Sequence, residues 1–72
     1  MRYEDGMKVR IHKEYCDFKD DGITRESDLR YVVMEMPGGG HYLLAKTKKQ
    51  AENGEGWIYD EHSIREQCGW WG

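Results

Sequence analysis

The chain has 72 residues, fourteen acidic against eleven basic side chains for a net charge of −3, and 38% hydrophobic with 35% charged positions. That length supports one domain, 1–72, hiding about 60% of its unfolded surface, and the apolar share is too high for a disordered tail. The acidic balance disfavours a polyphosphate backbone as first-choice partner, no apolar run spans a membrane, and the opening MRYEDGMKVR lacks the apolar core of a secretory signal, so a cytoplasmic setting is expected.

Behind a turn at Gly6, Met7, Val9 and Ile11 alternate with Lys8, Arg10 and His12, the period-two signature of a strand with one buried face. Residues 13–27 show no helical periodicity and contain DDG, which predicts a long excursion turning at residues 20–22. From Glu14 to Asp28 six acids, Glu14, Asp17, Asp20, Asp21, Glu26 and Asp28, outweigh Lys19 and Arg25. A second strand is predicted over 29–36, dense in Tyr31, Val32 and Val33. The PGGG tetrapeptide at 37–40 breaks it, and HYLLAK pairs back as a hairpin. Residues 46–56 form a polar loop with room for a brief helical turn in AKTKKQAE, and Lys46, Lys48 and Lys49 make it cationic. Trp57 to Asp60 is expected to be the closing strand, followed by a one-turn plug bearing Ile64 and by an aromatic tail over 68–72.

Four short strands without a long amphipathic helix cannot bury two sheets, so a mainly all-β domain is expected, one strongly bent sheet of four to five strands around a single core. Val9, Ile11, Tyr31, Val33, Leu43, Trp57 and Ile64 are its expected members, with Leu44 or Tyr42 replacing Leu43 if the register slips by one. Each large aliphatic side chain buried contributes roughly 1.5–3 kcal/mol before chain entropy is charged against it.

The segments DGMKVRI, YVVMEM, HYLLAK and GWIYDEHSIRE resemble small bacterial and bacteriophage accessory proteins with a Src-homology-3-like β-barrel, through Gly6, Val9, Ile11, Gly56, Trp57, Asp60, Glu61 and Ile64. The resemblance implies a protein that acts by binding, often by interfering with a host enzyme. The Ala-Leu-Tyr-Asp-Tyr motif of polyproline-binding relatives is missing, as is the glycine-spaced turn that KOW-type nucleic-acid modules place after the first strand.

Patterns that carry chemistry fail on their own residues. A calcium loop starting at Asp17 would have Gly22 sixth and Asp28 twelfth, but Lys19 third and Arg25 ninth cannot ligate the ion. His12, Cys16, His62 and Cys68 have zinc-ligand chemistry without a Cys-x-x-Cys knuckle to fix a pair. Glu14, Asp17 and Asp20 around Cys16 oppose a thiolate. PGGG lacks the Gly-Lys-Ser/Thr that cradles phosphate, and the carboxylate pairs Asp20/Asp21 and Asp60/Glu61 fall in turns where nothing separates their acidities. The two cysteines are expected as thiols in a reducing compartment.

The expectation is therefore a non-enzymatic protein-binding module without cofactor or metal, a monomer or weak homo-oligomer. Tyr15, Asp17, Phe18, Asp20, Asp21, Glu26, Trp70 and Trp71 would meet the protein partner. One of the two terminal tryptophans is expected to pack on the barrel. The alternative is a nucleic-acid-binding barrel using Arg10, Lys46, Lys48 and Lys49 with Tyr42 as stacking ring.

Overall fold

A computed structural model describes residues 3–19 and 22–71. Five antiparallel strands form one sheet: β1 (Met7–Ile11), β2 (Leu29–Glu35), β3 (His41–Ala45), β4 (Trp57–Asp60) and β5 (Ile64–Trp70), in the order β4-β3-β2-β1-β5. A single helical turn, α1 (Lys48–Glu52), joins β3 to β4, and 3-10 turns occupy Lys13–Tyr15 and Glu61–Ser63. The domain is small and mainly β, as its composition and periodicity predict.

The alternation in β1 is realised directly, with Met7, Val9 and Ile11 buried and Lys8 and Arg10 half-exposed. Across the next two strands the inward set is displaced by one residue from expectation. Arg30 and Val32 of β2, with Tyr42 and Leu44 of β3, are buried, whereas Tyr31, Val33 and Leu43 are only partly so. Two features cause the slip. Tyr31 is opposite Ala45 on the other face, where α1 lies against β2 and β3 with Ala51 buried, so that face is apolar too and periodicity cannot choose between them. Val33 is also a bulge: Val32 pairs with Leu44 and Met34 with Leu43, leaving it no opposite number.

Tyr42, fully buried, anchors the core with Tyr3, the two rings meeting edge to face at 5.5 Å. Ile64, Cys16 and Val32 complete the cluster, and Tyr59 packs against it. Trp57 does not belong to it. This ring, expected to be sealed inside, is 46% exposed. It opens β4, an edge strand with a neighbour on one side only, and its face is covered by the Lys46 ammonium 4.7 Å from the ring centre.

β4 is not the last strand, and residues 68–70 are not a tail. Cys68, Gly69 and Trp70 belong to β5, which pairs with β1 through two register shifts. Trp71 does pack on the body, edge to face with Tyr31 at 6.3 Å, its indole N–H donating to the Val32 carbonyl at 3.2 Å.

Glycine has a mechanical reason at two places, the β2–β3 turn and the entry to β4. Gly38, Gly39 and Gly40 all take positive φ (95°, 77° and 81°), so the β2–β3 turn is closed to residues with a Cβ. At Gly56 an added Cβ would stand 2.7 Å from the Leu44 carbonyl oxygen, because β4 enters the sheet tight against β3. Gly56→Ala should lower stability by roughly 1–3 kcal/mol, as overpacking against fixed backbone does. A thermal melt checks this, with Gly54→Ala probing a loop glycine that has open space around it but a positive φ of 75°.

Candidate functional site

In the described part of the excursion between β1 and β2, residues 17–19 pair with residues 24–26 in the manner of a hairpin. Phe18 and Arg25 form an antiparallel bridge, the Glu26 N–H donates to the Asp17 carbonyl at 2.8 Å, and the Lys19 N–H to that of Thr24 at 2.6 Å. Arg25 clamps the hairpin to its own entry. Its Nη1 donates to the carbonyls of Lys13 at 2.6 Å and Cys16 at 2.7 Å, while the guanidinium lies 4.7 Å from the Phe18 ring centre. Behind the clamp, Lys13, Arg25, Glu26, Ser27 and Asp28 line a concavity of about 260 Å³.

Each of the two carboxylates at the base of the hairpin is held between two cations. Glu26 meets Arg30 at 3.0 Å and Lys46 at 3.1 Å, and also accepts the Asp17 N–H. Asp28 meets Arg10 at 2.6 Å and Arg65 at 3.4 Å. Desolvation works against the charged form of both acids, yet it is outweighed. The Lys46 hydrogen bond, the Asp17 amide and the Arg30 charge hold the Glu26 carboxyl below its ordinary value, and Arg10 with Arg65 does the same for Asp28. Arg10 is raised in turn by its hydrogen bond to Asp28.

Arg30 ties this cluster to the body. It is 1% exposed and points inward from β2 opposite Val9, a polar head among core residues. Its donors reach the Ser27 carbonyl at 2.5 Å, the Leu29 carbonyl at 2.8 Å, Glu26 at 3.0 Å and the Tyr59 hydroxyl at 3.4 Å. Excursion, β2 and β4 thus share one guanidinium.

These contacts sort the predicted site residues. Tyr15 and Phe18 are exposed, as is Asp17, and Ile23, absent from the expected set, is 81% exposed. Glu26 is a structural carboxylate, not a free recognition group. Asp20 and Asp21 lie outside the described residues. Trp70 is exposed, while Trp71 is a packing residue at some distance in sequence from the excursion. In the nucleic-acid set Tyr42 has no accessible face, which removes the stacking ring, and Arg10 and Lys46 are engaged by Asp28 and Glu26; Lys48 and Lys49 are exposed on α1. Cys16 is buried and Cys68 exposed, and both are free thiols. Among the described residues no helix is long and apolar enough to cross a membrane.

Reasoning from sequence overlooks Arg30, Arg25 and Ile23. The i, i+4 spacing of Glu26 and Arg30 and the inward parity of Arg30 with Val32 were the available signals.

Carboxyls held low in the folded state contribute stability that is present above their unfolded acidity and lost as pH falls through the depressed folded value. The protein should therefore lose stability progressively on acidification below about pH 4.5, the ordinary range of these groups. Glu26→Gln and Asp28→Asn should be less stable at neutral pH and show a flatter acid limb in urea titrations across pH. Arg30→Met, which leaves Glu26 without its buried partner, should cost roughly 3–5 kcal/mol, and adding Glu26→Gln should recover part of the loss.

No family model matches this chain, and neither a curated protein nor a solved structure is significantly similar to it.

Proposed function

We propose that the protein is a non-enzymatic binding module whose working surface is the set of exposed apolar residues Tyr15, Phe18 and Ile23 in the excursion between β1 and β2. By its resemblance to small phage and bacterial proteins it is an accessory factor, of phage or mobile-element origin, that inhibits or redirects a host macromolecule by occlusion. One observation carries the binding reading. Phe18 and Ile23, 55% and 81% exposed, lie on a segment pinned from within by Arg25 and anchored below by Glu26 and Asp28, and Tyr15, 46% exposed, ends the 3-10 turn that leads into it. Large apolar side chains held out on an ordered loop lose little conformational freedom on docking, which favours affinity.

The same geometry changes the chemistry expected of the partner. Four cations neutralise Glu26 and Asp28, so the described part of the excursion offers apolar contact first, with Glu14 and Asp17 as exposed acids at its margin. The partner surface is accordingly an apolar hollow with a basic rim, and electrostatics set the approach more than the strength of binding.

Affinity capture from a bacterial lysate, followed by calorimetry on the purified pair, tests the reading. Phe18→Ser and Ile23→Ser should each weaken binding roughly tenfold or more, as hot-spot truncations do, while Lys48→Gln with Lys49→Gln leaves it unchanged. If the lysine pair instead controls binding, and the captured ligand is a nucleic acid whose affinity falls steeply with salt, the nucleic-acid reading replaces this one.

A further inference from the structure

The sheet has two edges, and they are built differently. β5 exposes Arg65, Glu66 and Gln67, is displaced twice against β1, and has Gly69 at a φ of 134°; charge, twist and irregularity all discourage another strand from adding there. β4 has neither the displaced register nor a positive-φ residue, and its charge is confined to its ends. It runs Trp57-Ile58-Tyr59-Asp60, pairs with β3 in unbroken register, and has no strand on its other side. Ile58 is 60% exposed and continues a cross-strand row on the outer face, Met34 opposite Leu43 and Leu43 opposite Ile58, which brings an apolar stripe to the open edge.

Charge decides what would fit against it. Glu55 precedes β4, while Asp60 and Glu61 end it, and none of the three is in an ion pair among the described residues. Lys46, the nearest cation on the Trp57 side, is already committed to Glu26 and to the Trp57 ring. A second copy pairing β4 with β4 about a two-fold axis, Ile58 against Ile58, would set the acidic ends of one strand against those of the other. Like charges at both ends oppose that dimer. A strand of opposite charge meets no such cost in either direction, since both ends of β4 are acidic.

We infer that β4 is a second binding edge that accepts an extended peptide with an aliphatic middle and Lys or Arg at each end. The peptide adds as a sixth strand: main-chain hydrogen bonds supply affinity, alternate side chains lie along the Met34–Leu43–Ile58 stripe, and its terminal cations meet Glu55 and the Asp60–Glu61 pair. This edge is a different surface from Phe18 and Ile23 of the excursion, and peptide binding there does not rest on the function proposed for those residues.

The probe is a blocked peptide, Lys-Lys-Val-Thr-Val-Thr-Val-Lys-Lys, titrated into the full chain and followed by amide and indole NMR shifts. Saturable binding, with a dissociation constant on the order of 100 µM, should move the β4 amides and the Trp57 indole most. Replacing the four lysines by glutamates, or N-methylating alternate backbone nitrogens on the pairing side, should each weaken it roughly tenfold. Ile58→Lys should do the same while leaving the core spectrum unchanged; if that variant fails to fold, the N-methylated peptide against the unaltered protein carries the test. Absence of binding, equal binding of the N-methylated or glutamate-ended peptide, or shifts centred on Phe18 and Ile23 would overturn the inference. So would a mass that doubles with concentration and is reduced by Ile58→Lys, since the edge would then belong to a second copy.

Discussion

The fold turns on a charge placed where a hydrocarbon would ordinarily go. Arg30 occupies an inward position of β2, opposite Val9 and next but one to Val32, in a very small protein. Burying a guanidinium is costly unless its donors are satisfied, and that requirement organises what surrounds it. Two carbonyls, a carboxylate and a phenol must converge from Ser27, Leu29, Glu26 and Tyr59. The base of the excursion and the edge strand β4 are therefore placed by the demands of one side chain. An aliphatic residue in that position would fill space without saying where either element should lie.

A consequence follows for the surface. Because Glu26 answers Arg30 and also takes Lys46, and because Asp28 takes Arg10 and Arg65, the carboxylates at the base of the excursion are consumed in holding it. Pairs with one partner largely buried keep more of their strength than freely solvated ones, since screening reaches them less. The order imposed on the hairpin is what lets Phe18 and Ile23 remain exposed without collapsing onto the body. Lys46 extends the same network to the Trp57 ring, so excursion and β4 are coupled electrostatically as well as through Arg30.

How much of this was legible depends on whether a face of the sheet was solvated. β1 was readable residue by residue because one side meets water and the other does not. β2 and β3 were readable as strands but not in phase, since α1 and Trp71 give their outer side apolar cover and Val33 interrupts the count. β5 left almost no trace: apart from Ile64 it is exposed or half-exposed along its length, so no period-two contrast is written into IREQCGW. Arg30 was hidden for a different reason, the ordinary presumption that an arginine in a strand faces out. Trp57 misled in the opposite direction, a large ring whose exposed position is stabilised by a lysine that sequence spacing does not single out. Of the candidate site, the aromatic part was readable and the role of its acids was not, because only coordinates show which carboxylates already have partners.

The unequal edges fit the same logic. A sheet in a domain this size cannot cover both its ends with other elements, so each must be protected by its own sequence or left available. β5 is protected by charge and irregular pairing; it ends with Trp70 opposite Met7, and just beyond it the Trp71 N–H donates to the Gly6 carbonyl at 2.7 Å. At β4 Gly56 draws the strand close to β3 and Arg30 fixes Tyr59 inward, both of which hold the strand straight and in register. Those devices align the backbone without blunting it. An edge made regular by its inner contacts and left apolar on its outer face keeps its backbone groups aligned for pairing, and its acidic ends oppose pairing with an identical edge.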